Sequence, residues 1–252
     1  MSSAPHRATS VAATGSTQHP SSILSGPTAA FHARASAPAE TSGTIAFDET
    51  REPLVGQSRM PFRDSPAFAA WRHGHARAGF EVAFMHVDGS GRWVEGATTA
   101  VDDGEAWLVR YRIRLASDWT TRQARVVGQS EAGVRDATLD ADGAGRWRIN
   151  GAAAPALNGC LDVDLESSAL TNAFPVHRLG LAIGERAQAP AAYVRAMDLG
   201  VERLEQRYER LDDDGDRQRY SYRAPQFEFS CELVYDAYGL VLDYPGIAVR
   251  AA

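Results

Sequence analysis

Residues 159–179 read Gly-Cys-Leu-Asp-Val-Asp-Leu-Glu-Ser-Ser-Ala-Leu-Thr-Asn-Ala-Phe-Pro-Val-His-Arg-Leu, and the fold turns on how they are read. In Leu161-Asp162-Val163-Asp164-Leu165, apolar side chains alternate with acids at the two-residue period of a strand. Asp162 and Asp164 then share one face, about 7 Å apart. Carboxylates that close call for a cation. The nearest in sequence is Arg178, beyond Thr171-Asn172 and Pro175, whose guanidinium can donate two parallel hydrogen bonds to a carboxylate. Two roles are open to the acids. They could work as general acid and base, since proximity raises one pKa and leaves the other ionised. Alternatively they form a structural cluster with Arg178, with Thr171 and Asn172 satisfying the remaining lone pairs.

The sequence on either side is punctuated like a β-meander. Phe80, Val82, Phe84 and His86 alternate against Glu81, Ala83 and Met85, which reads as a strand. A turn follows at Asp88-Gly-Ser-Gly-Arg-Trp93, and the same pattern recurs at Asp142-Gly-Ala-Gly-Arg-Trp147. Further Asp-Gly or Asn-Gly steps at 103, 150, 158 and 214 supply the positive φ that tight hairpins need. In Trp107–Leu115, Trp107, Val109, Tyr111, Ile113 and Leu115 face one way. Arg110, Arg112 and Arg114 face the other, as a solvated row or as a binder of an anionic head group. Residues 201–211 have apolar side chains at helical spacing, but the Asp212–Asp216 turn and the alternating Arg219-Tyr-Ser-Tyr222 favour a hairpin. The segments 226–235 and 239–244 read as another hairpin. Inward-facing Phe80, Phe84, Trp107, Tyr111, Phe227, Phe229 and Leu240 suit either a core packed to native density or an apolar groove of several hundred cubic ångströms.

Composition removes several functions. The chain of 252 residues has a net charge of −6 and contains no lysine, so all 26 basic side chains are arginines. A Walker phosphate loop and a Schiff-base lysine are therefore excluded. The acidic balance gives no electrostatic reason to expect nucleic acid or an anionic membrane as partner. Cys160 and Cys231 lack metal or redox spacing and read as buried free thiols. No Gly-x-Ser-x-Gly occurs, which argues against serine hydrolysis. His73 and His75 could offer two metal ligands but have no identifiable third, so no metal and no cofactor are expected. The Asp212–Asp216 run lacks the spacing of a calcium loop. Residues 1–55, rich in Ser, Ala, Thr, Pro and Gly, read as a disordered tail, with a start at Met60 as an alternative; the folded domain is expected over 60–252. No apolar run is long enough to span a bilayer, and the expected location is cytoplasmic.

Taken together, Asp-Val-Asp-Leu-x-x-Ser-x-x-Thr-Asn-x-x-Pro-x-x-Arg-Leu resembles the central motif of the putative glycolipid-binding family of bacterial proteins. Trp119 with Arg122, Gln206-Arg207-Tyr208 and Gly239-Leu-Val-Leu-Asp-Tyr-Pro245 stand where that family's pattern places them, and the resemblance covers about residues 68–250. It implies a mainly β fold, a long twisted antiparallel sheet rolled around one helix (a spiral β-roll), with a cleft suited to a glycolipid or other amphiphile. Candidate ligand contacts are then Arg112, Trp119, Arg122, Asp162, Asp164, Asn172, Arg178, Tyr208 and Tyr244. Three hypotheses follow: a carrier holding an acyl chain, an enzyme acting on such a molecule through Asp162 and Asp164, and a structural homodimer without ligand. Binding is preferred to catalysis. An internal cavity favours the first, acids exposed in a cleft the second, and a filled core with paired acids the third.

Overall fold

The computed structural model describes residues 61–74, 77–89 and 91–252. The expected tail 1–55, the alternative start at Met60 and His75 lie outside the described residues. Eight strands come first: β1 (Phe68–His73), β2 (Ala78–Asp88), β3 (Gly91–Asp102), β4 (Glu105–Leu115), β5 (Thr121–Ser130), β6 (Gly133–Ala141), β7 (Trp147–Ile149) and β8 (Ala152–Ala153). Next are β9 (Asp162–Leu165), a short 3-10 turn at Leu170–Asn172 and the helix α1 (Ala173–Leu179). The chain continues through β10 (Arg186–Gln188), β11 (Ala191–Val194), β12 (Val201–Leu204), β13 (Arg207–Arg210) and β14 (Gln218–Ala224). It then forms β15 (Phe229–Tyr235), β16 (Val241–Tyr244) and β17 (Ala248–Arg250).

Fourteen of these strands make one antiparallel sheet in the order β10-β13-β14-β15-β16-β17-β1-β2-β3-β4-β5-β6-β7-β8. Strands β1 to β8 are a plain meander, and the pairing of β17 with β1 joins it to the later half. A small second sheet has β11 between β9, which runs parallel to it, and the antiparallel β12. Local chemistry accounts for the tight connections. Between Asp102 and Glu105, which face each other across β3 and β4, Asp103 and Gly104 adopt φ of 48° and 85°, the mirror-image turn that matches the twist of a hairpin. The repeated Asp-Gly-x-Gly-Arg-Trp pattern closes two hairpins of different length. The first turns between Asp88 and Gly91; the second spans from Ala141 to Trp147, with the Asp142 carboxylate accepting from the backbone N–H groups of Ala144 and Arg146.

Several strands of the sheet pack on α1 and the turn before it. Tyr208 of β13 and Tyr235 of β15 donate to Asn172, Glu81 of β2 accepts from Ser168 and Ala169, and Trp119 after β4 stacks on His177. Helix α1 has seven residues, too few to hold together alone in water, so the strands packed on it stabilise it. Pro175 sits in its first turn, where a missing N–H costs nothing. Gly180 ends it in the left-handed region at φ 50°, its N–H donating to the Val176 carbonyl.

Strand β4 is as expected, with Trp107, Val109, Tyr111, Ile113 and Leu115 buried and Arg110, Arg112 and Arg114 exposed. Residues 201–211 also form strands, but β12 and β13 belong to different sheets, and the helical spacing leaves no helix. Strand β2 requires a correction. Phe80 and Phe84 point outward and are exposed, while Glu81, Ala83 and Met85 face the interior. Alternation gives a strand its period and leaves open which face is buried. Here a polar network decides: Glu81 accepts hydrogen bonds from the Tyr111 hydroxyl at 2.6 Å, the Ala169 N–H at 2.7 Å and the Ser168 hydroxyl. Space for Tyr111 comes from Gly96 on β3, where a Cβ would lie 2.3 Å from the phenol ring.

Candidate functional site

The two acids of the central motif sit on β9, which is buried on both faces. Asp162 accepts a forked pair from Arg178, Nε to Oδ1 at 3.0 Å and Nη2 to Oδ2 at 2.5 Å. Asp164 accepts from the Thr171 hydroxyl at 2.8 Å and from Gln206 Nε2 at 2.5 Å, and the same Gln206 nitrogen lies 3.0 Å from the Tyr222 hydroxyl. The expectation that Arg178 serves both acids is therefore corrected. The helical segment runs back along β9, so Thr171 at its start meets Asp164 and Arg178 near its end meets Asp162. Gln206, quoted in the sequence pattern only as a landmark, supplies the second partner of Asp164.

Burial raises the pKa of both acids. Asp164 is pushed up to about 6 by loss of water, with the Thr171 and Gln206 hydrogen bonds opposing. Asp162 is also raised by burial, opposed by Arg178. Burial holds the phenols of Tyr208, Tyr222, Tyr235 and Tyr244 well above their ordinary range, so they act as neutral hydrogen-bonding groups. The cluster can exchange a proton near neutral pH, but with Asp162 at 1% and Asp164 at 8% exposure it presents no open face to a substrate.

The structure brings Asp162, Asp164, Asn172, Arg178 and Tyr208 together in the interior as three hydrogen-bonded groups: Asp162 with Arg178, Asp164 with Thr171 and Gln206, and Asn172 with Tyr208 and Tyr235. Tyr244 is buried beside them, its ring 6.0 Å from that of Tyr222. Trp119 is nearly buried in a column, its ring 3.7 Å from His177 and 4.2 Å from the Arg92 guanidinium. It holds φ 68°, a left-handed conformation that costs a bulky residue energy and persists only where packing imposes it. Arg112 and Arg122 stand apart on the outside. Arg112 pairs with Glu95 at 3.2 Å and lies over Trp93, while Arg122 donates to the Asp142 carbonyl. Sequence reasoning missed Glu81 and His177. The signal for Glu81 was an acid sharing a strand face with Ala83. His73 is buried 3.6 Å from Glu81. Both cysteines are free, and burial raises the Cys160 thiol to about 11.

A cleft of about 160 Å³ opens beside the end of α1. Pro61, Phe62, Leu181 and Ile183 give it apolar walls, and His177, Arg210, Gln218 and Tyr220 a polar side. Arg210 is nearly buried and is held by Asp213 and by the carbonyls of Leu211 and Arg219. His177, whose Nε2 lies 3.0 Å from the Tyr238 carbonyl, has its pKa pushed down to about 3 by burial and is neutral. The cleft is smaller than the groove that the carrier hypothesis calls for. Ala83 and Tyr111, on inward faces, are packed in the core and do not line it.

These features define an all-β protein with a large antiparallel sheet packed on one short helical segment and a buried carboxylate network at its centre. The chain belongs to the putative glycolipid-binding family, which matches residues 68–250. It is similar to the crystal structure of a DUF1089 family protein from Pseudomonas aeruginosa, with 35% identity and a TM-score of 0.63, over 79% of this chain and 100% of that one. A weaker likeness is to a β-barrel-like protein of the DUF1849 domain family from Brucella abortus, with 10% identity and a TM-score of 0.41, over 75% of this chain and 95% of that one. No curated protein matches the chain. Among the described residues, no helix is long and apolar enough to cross a membrane.

Proposed function

We propose that this protein binds an amphiphile of the glycolipid type and that the cleft beside α1 seats one end of it. The observation that carries this reading is the mixed lining: apolar Phe62, Leu181 and Ile183 face Arg210, Gln218 and Tyr220 across one opening. An apolar wall with a few convergent polar groups suits a molecule with an apolar and a polar part. At about 160 Å³ the cleft has room for roughly five waters' worth of ligand, enough for a chain end or part of a sugar ring. The rest of the ligand would run over the surface. Family membership supports the same ligand class.

The test is a titration of the full chain with fluorescent fatty acids and glycolipids, repeated with Ala182→Trp, whose indole would fill the cleft. Saturable binding that the variant loses is the expected result, and absence of binding to any amphiphile would refute the reading. A second reading, a structural protein without ligand, draws on the packed interior and on the full pairing of Asp162 and Asp164; it is the outcome if nothing binds. Catalysis by the acids would require the network to open, and turnover of a glycolipid abolished by Asp164→Asn would be its mark.

A further inference from the structure

The outward turn of β2 places side chains on the outer face of the sheet that the interior has no use for. Across β1 to β5, cross-strand neighbours on this face form rows. Phe68, Phe84, Glu95, Arg112 and Arg125 make one row. Val249, Arg72, Phe80, Thr99 and Leu108 make another. Between them Val82 leads through Ala97 to Arg110 and Val127. On the far side His86 and Trp93 lead to Arg114. Phe68 is 52% exposed, Phe84 52%, Phe80 44% and Val249 48%, a cluster of large apolar groups in water. Neighbouring strands are about 4.8 Å apart, so the arginines of β4 begin about 10 Å from the phenyl rings of β2.

Charge on this face runs against the charge of the whole. The molecule carries −6, yet the outward side chains of these rows include Arg72, Arg110, Arg112, Arg114 and Arg125 against Glu95, with Asp88, Asp243 and Asp136 at the margins. Among the described residues only Arg112 of the five is ion-paired, to Glu95. A solvated arginine row does not explain three phenylalanines beside it, since Thr or Gln would serve the strand as well. Phenylalanines beside a cationic strip suit a surface whose interior is apolar and whose outer layer is anionic.

We propose that the outer face of β1–β5 docks on an anionic lipid surface, with Phe68, Phe80 and Phe84 entering the head-group layer and the arginines meeting phosphates. Net charge conceals this because most of the acids lie off these rows, with Asp243, Asp136 and Asp140 at their margins. The proposal extends the amphiphile reading by placing the protein where such molecules reside, and it does not depend on the cleft. Single-stranded nucleic acid could also meet the arginines and stack its bases on such rings, so its binding is one outcome of the test.

The test is flotation of the full chain with phosphatidylcholine vesicles, with and without phosphatidylglycerol. The chain is expected to float with the anionic vesicles only, and to be released at about 1 M salt, where screening acts within about 3 Å. Arg110→Gln with Arg114→Gln should weaken partition about 30-fold at low salt. Phe80→Thr with Phe84→Thr should weaken it about tenfold or more while fatty-acid binding in the cleft stays unchanged. Ala182→Trp should float like the parent, which separates failure of the cleft reading from failure of this one. Four results would each overturn docking: no flotation, equal flotation with neutral vesicles, binding of DNA or RNA in place of vesicles, or a homodimer that the phenylalanine substitutions dissociate.

Discussion

Replacing Asp164 by asparagine isolates the energy of holding a carboxylate inside the sheet. The folded protein raises this pKa from 3.8 to about 6, so between those values the folded state binds the proton more than the unfolded state does. Stability from this group is fully present below about pH 3.8 and is lost as pH rises through 6. The shift corresponds to about 3 kcal/mol at pH 8. Asparagine keeps the shape and cannot ionise, and Gln206 can turn its amide to present an acceptor to the new NH2. Relative to wild type, Asp164→Asn should therefore gain stability on going from pH 4 to pH 8 by about 2.5 kcal/mol. Urea denaturation of both proteins at several pH values measures it. Only the difference between the curves is diagnostic, because His177 titrates in the opposite sense over the same range. Parallel curves for the two proteins would refute the reasoning.

Arg178 provides both hydrogen bonds recorded for the Asp162 carboxylate, so Arg178→Ala should cost about 3 kcal/mol at neutral pH, read from the denaturant midpoint. Asp162→Asn introduced into that variant should recover much of the loss by removing the stranded charge. His177 is neutral in the fold, with its pKa lowered from 6.5 to about 3; its contribution is present above pH 6.5 and lost as pH falls towards 3, by about 5 kcal/mol in all. His177→Gln, which keeps a donor for the Tyr238 carbonyl, should flatten that acid limb in pH-dependent urea melts.

The meander was legible because hairpin chemistry is local: Asp103-Gly104 and Asn150-Gly151 declare their turns within two residues, and Trp107–Leu115 shows its period and its buried face together. What is non-local was not legible. The face that β2 buries depends on Ser168, Ala169 and Tyr111 meeting Glu81, far away in sequence, so the larger hydrophobicity of Phe80 and Phe84 pointed the wrong way. The acids of β9 were found because alternation placed them together, but the division of partners between Arg178 and Gln206 depends on how the helical segment lies along the strand. No feature of the sequence singled out His177. Its place between Trp119 and Phe62 depends on two loops that no periodicity connects.

The pairing of β1 with β17 also bears on synthesis. Trp71 faces Arg250, about 180 residues later, so at about 5–20 residues per second β1 waits roughly 10 to 35 seconds on the ribosome for its second neighbour. During that interval the early meander has an open edge carrying buried-type residues such as Ala69 and Trp71, the kind of edge that recruits foreign strands. Until β17 arrives the edge of β1 stays open, and a chaperone that shields residues 68–73 would protect it.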